Sequence, residues 1–267
     1  CHKSRGKYIV TGDLPMKKVL SLALSLCLMC SAAGAEILTI DTETASESEL
    51  TTMIDTLDKV RQEKIVERLS ANPIHPTDED IYTFNSAPWY CTKSQAEQIW
   101  NQKSPYANFD IRSTYIFELS YGIQVLYKNT NVAGYSATIN TKFIFPIEDG
   151  IIIRNNDLAQ LYEAAYWISD DYKDLPGIYE DLESKLTSIY GTPHDASDKR
   201  YFRKEWSDKS GNQISLSAST STYNIAISYV ASDAEERVAT IKEAITNEEI
   251  RKEQLDRLNN SDNVDGL

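Results

Sequence analysis

The sequence predicts an α+β protein, an antiparallel sheet with helices on one face, built from two tandem helix–meander units between an N-terminal and a C-terminal helix. Three observations carry this. S/T-x-x-E/Q capping signatures begin at Ser46, Thr92 and Ser232, each ahead of residues with helical apolar spacing. Between the helices lie short runs rich in Tyr, Ile, Val, Thr and Phe, the composition of half-buried strands. Those runs follow single helices in groups, an order that favours antiparallel meanders.

The first helix is expected from about 48 to 70, opened by Ser46 and Glu49. Leu50, Met53, Ile54, Leu57 and Val60 give it one apolar face, and Pro73 and Pro76 close it. Residues 71 to 88 read as a connector with one short strand at Ile81 to Phe84. Thr92-x-x-Gln95 opens a second, short helix whose face is Ala96, Ile99 and Trp100. Strands are expected over 114–119, 123–128, 135–145 and 161–168. Glu148-Asp149-Gly150 signals a turn, with Ile151 to Arg154 extending a strand beyond it.

The clearest helix runs from Ile178 to Tyr190. Ile178, Leu182, Leu186 and Ile189 share its apolar face, Pro176 sits near its start, and Gly191 and Pro193 stop it. Strands follow over 201–206, 213–218 and 224–230, with Ser210-Gly211-Asn212 as the first turn. Ile225, Ile227 and Tyr229 alternate with small residues, so the sheet should be buried on one side. Ser232-x-x-Glu235 opens a last helix to about Leu258. Val238, Ile241 and Ile245 can pack. Beyond 246 its face is solvated, with Glu248 and Lys252 at pairing distance along the helix. The residues after it are expected to fray.

The start of the chain reads as an address. Met16-Lys17-Lys18 is a basic n-region, Val19 to Cys30 an apolar h-region, and Ala33 and Ala35 occupy the −3 and −1 positions of an A-x-A cleavage site. The apolar run falls well short of the roughly 20 residues that span a bilayer. Residues 16–35 are therefore expected to be a signal peptide and the protein to be secreted, with no transmembrane helix in the mature chain. Residues 1–15 read as an artefact upstream of the gene start. The remaining organisation is an N-terminal helix and connector (36–87), an α+β core domain (88–231), and a C-terminal helix with its tail (232–267).

This placement answers the C-x-x-C spacing of Cys27 and Cys30, which in isolation suggests a redox pair or half a zinc site. Both sulfurs lie in the h-region and are removed with it. Neither has the small preceding residue of a lipid-attachment site, so the lipid-anchored envelope module is the weaker reading. Of four cysteines only Cys91 then remains, which cannot form an internal disulfide. The core must come from burial alone, for which 16 Tyr, 6 Phe and 4 Trp are ample material.

The net charge of −13 repels phosphate backbones and anionic lipid surfaces, which disfavours nucleic-acid and membrane-surface binding. Cleavage after Ala35 removes Lys3, Arg5, Lys7, Lys17 and Lys18 against one acid, Asp13, and leaves the exported chain more acidic still. Such a charge also serves solubility.

Chemistry-bearing groups are sparse. Cys91 precedes the Thr92 cap, where a helix N-terminus can activate a thiol with His75 or His194 as base. The same position suits a small apolar side chain stapled onto the first turn, and this is the expectation taken. His75 and His194 each neighbour acids but lack metal-ligand spacing. Asp78-Glu79-Asp80 and Ser169-Asp170-Asp171 do not fit a calcium loop. No G-x-S-x-G or glycine-rich phosphate loop is present, and nothing singles out a carboxylate pair for glycoside hydrolysis. Aromatics are the enriched class: Tyr115, Tyr121, Tyr127, Tyr135, Tyr162, Tyr166, Tyr201, Tyr223 and Tyr229 stud the strands, as core, sheet surface or binding face.

The segments WYCTKSQAEQIW, VAGYSATINTKFIF and YEDLESKLTSIYGTPHD, followed by Trp206 and NIAISY, resemble a family of uncharacterised secreted bacterial proteins. More loosely, the helix–YGxP–strand–Trp pattern resembles the small α/β modules of the outer-membrane assembly lipoprotein and β-lactamase-inhibitor-protein type. Trp89, Thr92, Lys93, Gly134, Tyr135, Leu182, Leu186, Tyr190, Gly191, Pro193 and Trp206 carry the likeness, across roughly 88 to 230. It implies a fold and a binding role. The lipid-attachment cysteine of the first module type has no counterpart here.

The expectation is a secreted, non-enzymatic binding protein with no catalytic residue, metal or cofactor, whose partner is an extracellular protein or polysaccharide. An extracellular hydrolase is the alternative.

Overall fold

The structure is a computed structural model and describes residues 47–71, 82–102, 114–148, 150–168, 174–219 and 224–261. The chain divides into two units, residues 1–63 and 64–267. The described part of the first is the beginning of helix α1 (Glu47–Ala71), within a residue of its expected bounds. Its Ser46 cap lies outside the described residues. Val60 was expected on a packed stripe and is 43 % exposed. In the second unit the same helix buries Ile65 with Ile153 and Leu158, a small cluster of its own, and Arg68 pairs with Glu148 at 2.5 Å.

The second unit holds α2 (Lys93–Gln102), α3 (Leu175–Tyr190) and α4 (Ala234–Ser261). Its long strands are β1 (Thr114–Leu119), β2 (Gly122–Val132), β3 (Tyr135–Ile144) and β6 (Gln160–Ile168), then β8 (Tyr201–Ser207), β9 (Gln213–Ser219) and β10 (Ile225–Val230). Three are two residues long: β4 (Ile147–Glu148), β5 (Ile151–Ile152) and β7 (His194–Asp195). Eight strands form one antiparallel sheet in the order β1-β2-β3-β6-β10-β9-β8-β7. The halves are α2 with β1, β2, β3 and β6, and α3 with β7 to β10. Their last strands, β6 and β10, pair at the centre, so the two meanders make one sheet.

Alternation fixes which side chains face the helices. Ile168 stands opposite Ile225, Tyr166 opposite Ile227, and Ile227 opposite Leu216. These join Ile123, Val125, Tyr127, Ile139 and Phe143 in one cluster with Trp100 of α2, Ile178, Leu182 and Leu186 of α3, and Ile241 of α4. Burying aliphatic or aromatic side chains of this size stabilises by about 1.5–3 kcal/mol each. Phe84 is central to it, packing against Trp100, Tyr166 and Tyr229 with ring centroids 5.0–5.8 Å apart.

The Thr92 capping box is formed from both sides. The Gln95 N–H donates to Thr92 Oγ1 at 3.2 Å, and the Thr92 N–H to Gln95 Oε1 at 3.0 Å. At α3 the cap is Asp174, whose carboxylate accepts from the Gly177 N–H, so the helix begins three residues before Ile178. Gly191 ends it at φ 85°, a left-handed conformation that favours glycine.

Five expectations are corrected. Of the short strand expected at 81–84, Ile81 lies outside the described residues, and Phe84 instead opens a tight turn closed by a bridge to Ala87, with Asn85 and Ser86 at positive φ. The strand expected at Ile151 to Arg154 beyond the turn is shorter, Ile151 and Ile152 alone, and forms a separate hairpin with Ile147 and Glu148. Ile189 is 69 % exposed, because at the end of α3 it is Tyr190 that meets the core, against Tyr82 at 4.9 Å. Helix α4 begins at Ala234, which makes Asp233 rather than Ser232 the residue ahead of it. Glu248 pairs with Arg154 at 2.8 Å rather than along its own helix with Lys252. No described helix is long and apolar enough to cross a membrane.

Candidate functional site

Opposite the helices, one row of side chains crosses all eight strands: Tyr115, Leu126, Asn140, Ala165, Ser228, Ser215, Glu205 and His194. A second row on the same face runs Thr138, Trp167, Ala226, Ser217 and Arg203. A third runs Phe117, Gln124, Lys142, Glu163, Val230, Gln213 and Ser207. Of these residues only Val230 belongs to either apolar cluster.

The middle of this face is a floor of small and hydroxyl-bearing side chains from β6, β10 and β9. Around it stand aromatic rings left in water: Tyr115 at 53 %, Phe117 at 48 %, Trp167 at 46 % and Tyr201 at 48 % exposure. Such exposure is costly for large rings, and among the other described rings only Phe202, on the helix side of β8, is as exposed, at 55 %. The polar groups are partly pre-ordered. Gln124 donates to Asn140 at 2.9 Å, Lys142 pairs with Glu163 at 2.7 Å, Arg203 pairs with Glu205 at 2.7 Å, and the Lys128 ammonium lies 4.4 Å from the Tyr115 ring centre. Exposed pairs of this kind stabilise the fold by about 1 kcal/mol or less. Lys128, Lys142 and Arg203 against Glu163 and Glu205 make the face nearly neutral, on a chain whose net charge is −13.

At the β7 end an open groove of about 350 Å³ is lined by Tyr82, Tyr190, Thr192, His194, Glu205 and neighbouring residues of β8. Its wall is fixed by the Trp206 indole, which donates to the Gly191 carbonyl at 2.8 Å. Next to His194 in β7, Asp195 accepts from the Ser197 N–H at 3.0 Å and from Lys204 at 2.9 Å. Hydrogen bonds from Ser197 first, then Lys204, hold its carboxyl well below the ordinary range.

Cys91 is fully buried under the Thr92 cap, and burial pushes its thiol up to about 12. A helix N-terminus activates a thiol that water and a base can reach; this one is packed as a hydrophobe, as its place before the cap implied. Among the described residues no three His, Cys, Asp or Glu side chains form a group that could hold a metal ion. His194 lies at the sheet edge opposite Glu205. His75, Asp78, Glu79, Asp80, Ser169, Asp170, Asp171, Tyr223, Cys27, Cys30 and the cleavage-site residues Ala33 and Ala35 lie outside the described residues.

The strand tyrosines divide by face. Tyr127, Tyr162 and Tyr166 are buried, while of the eight described only Tyr115 and Tyr201 stand exposed on the open side. Sequence reasoning missed Phe117, Trp167 and the serine rows. The signal was present in QISLSAS, where placing Ile214 and Leu216 inside puts Ser215, Ser217 and Ser219 outside.

Fold and surface together define a class: an α+β protein of two helix–meander halves fused into one antiparallel sheet, helices against one face and, among the described residues, none packed on the other. Compared with protein-family models, with curated proteins and with solved structures, the chain matches none.

Proposed function

We propose that this chain is a secreted, non-enzymatic binding protein that seats a protein partner on the open face of its sheet. The observation that carries the reading is the ring of exposed Tyr115, Phe117, Trp167 and Tyr201 around a floor of Ser215, Ser217, Ser228, Ala165 and Ala226. Rigid aromatic anchors beside adaptable hydroxyls are the composition of protein-recognising surfaces. Small floor residues leave room for a convex partner, and a nearly neutral face on an acidic body presents least repulsion there. The signal-peptide pattern at 16–35 supports export. The protonated, buried Cys91 supports a role other than thiol catalysis. The resemblance to modules of the β-lactamase-inhibitor-protein type implies binding as well.

The test is affinity capture from native culture medium with the wild-type chain, Trp167→Ala and Tyr201→Ala in parallel. A protein recovered by the wild type and lost with Trp167→Ala, at unchanged melting temperature, supports the reading. Equal recovery by all three chains, or retention on a glycan array that the variants abolish, overturns it.

A further inference from the structure

The two ends of the sheet are built differently. At one end β7 is only two residues long, so little unpaired edge is offered. At the other, β1 is six residues, TYIFEL, with no Lys, Pro or bulge to blunt it. Tyr115, Ile116 and Phe117 are 53 %, 47 % and 48 % exposed in a row, so each face of the strand presents an apolar side chain to water. An edge of this kind is a template for another strand.

Which backbone groups point outward follows from the neighbouring bonds. The Phe145 N–H donates to the Tyr121 carbonyl at 3.0 Å, so Tyr121 faces β3 and the next residue, Gly122, faces β1. Gly122 is paired with Leu119, and alternation then ties Leu119, Phe117 and Tyr115 to β2. The N–H and C=O of Thr114, Ile116 and Glu118 are turned to the outer edge, which no described strand pairs.

We propose that β1 pairs antiparallel with β1 of a second copy, about a two-fold axis through Ile116. Among registers that keep both open faces on the same side, this one also brings outward-pointing groups opposite each other. Ile116 meets the partner copy's Ile116, and Thr114 meets its Glu118, both as hydrogen-bonded pairs. Tyr115 meets its Phe117 in the closer, non-hydrogen-bonded position, an aromatic cross-strand pair formed twice by symmetry. The strand's one charge, Glu118, faces a threonine, so no like charges meet. The argument commits to a second copy because the strand complements itself in composition, bonding parity and charge at once. Two copies so joined would have one continuous sheet, with both open faces on one side. The contact is a short edge, so the association is concentration-dependent.

Sedimentation equilibrium of the exported protein tests this. A mass that doubles with concentration is expected, and a monomer throughout overturns the proposal. Ile116→Pro removes an outward N–H and leaves the β1–β2 ladder intact, so it should stay monomeric with an unchanged melt. Should that variant fail to fold, Ile116→Lys places two like charges at the axis and should be monomeric too. A dimer that persists in whichever of the two folds overturns the proposal. The register has its own readout. Opposed hydrogen-bonded residues lie about 5.5 Å apart at Cα, within disulfide reach. Oxidised Ile116→Cys should form a covalent dimer and Thr114→Cys should not; the reverse result overturns the register. Trp167→Ala should dimerise normally, which separates this surface from the partner-binding face.

Discussion

Tyr90 donates its hydroxyl hydrogen to the carboxylate of Asp233, joining residues 143 apart in sequence. The first sits just ahead of α2, at a positive φ of 62°, and the second just ahead of α4. Arg237, one turn into α4, pairs with the same carboxylate at 2.7 Å and lies 3.7 Å from the Tyr90 ring centre. The entry to the first half of the sheet is thus fastened to the exit from the second.

Tyr90→Phe keeps the ring and its cation contact but removes the donor. A hydrogen bond to a charged group contributes about 1.5–3 kcal/mol, and partial exposure of Asp233 lowers this. A loss of about 1 kcal/mol in urea unfolding, with an unchanged slope, is expected. Arg237→Ala should cost a comparable or smaller amount, and the double variant less than the sum, because both act on one carboxylate.

The same carboxylate sets an acid limb. Burial works to raise Asp233, but hydrogen bonds from Tyr90 and Arg237 outweigh it and leave it below its ordinary 3.8. Asp195, Asp198 and Asp181 are also lowered, by hydrogen bonds from Ser197, from the Arg200 backbone and from Lys185 first in each case. A carboxyl lowered by folding contributes stability above its unfolded value and loses it as pH falls through its folded one. Melting temperature should therefore hold from neutral pH downward and drop below about pH 4. Asp233→Asn should flatten part of that drop. At the other end burial raises Tyr166 to about 12, a contribution present below its ordinary 10.0 and lost as pH rises through the folded value. Melts at pH 2–6 and 9–12 check both limbs, about the ranges those shifts span.

Local signals were legible and long-range ones were not. The Thr92-x-x-Gln95 spacing specified two hydrogen bonds, and both are made. Alternation in the long strands gave their faces, because period two is set by the residues themselves. The pairing of β6 with β10 was not readable, since nothing in either strand distinguishes one antiparallel neighbour from another. Nor were β4 and β7, each two residues and too short to show a period, whereas β5 follows the turn signal at 148–150. The candidate surface was half legible. Tyrosine enrichment pointed at the strands, but most of that tyrosine is core, and Trp167 reached the surface on a parity that only the bulge between Lys142 and Phe143 makes plain.

Cys91 should behave as an inert thiol in the folded state. It is fully buried, and its thiol is raised to about 12, so thiolate is scarce at neutral pH. Iodoacetamide at pH 8, about half a unit below an ordinary thiol value, should leave the Cys91 peptide unmodified in native protein and alkylate it fully in denaturant. Cys91→Ser should destabilise by about 1–3 kcal/mol, because a hydroxyl placed there lacks the water it would otherwise bond. Cys91→Ala should cost less.

Two glycines offer a contrast that separates crowding from backbone strain. A Cβ on Gly122 would stand 2.0 Å from the Phe143 carbonyl oxygen, a backbone atom that moves only if β3 moves. Gly134 has φ +98° and nothing within 4 Å of such a Cβ, so alanine there meets only the left-handed penalty. That penalty is about 1–2 kcal/mol, whereas overpacking costs about 1–3 kcal/mol and occasionally more, and a clash with backbone falls at the upper end of that range. Gly122→Ala should therefore melt well below Gly134→Ala. It should also raise amide exchange at Gly122 to Val125 and at their partners Thr141 to Ile144, where the ladder must open. Exchange confined to the Ala133–Gly134 turn is expected for Gly134→Ala, since that bend lies outside every paired position of β2 and β3.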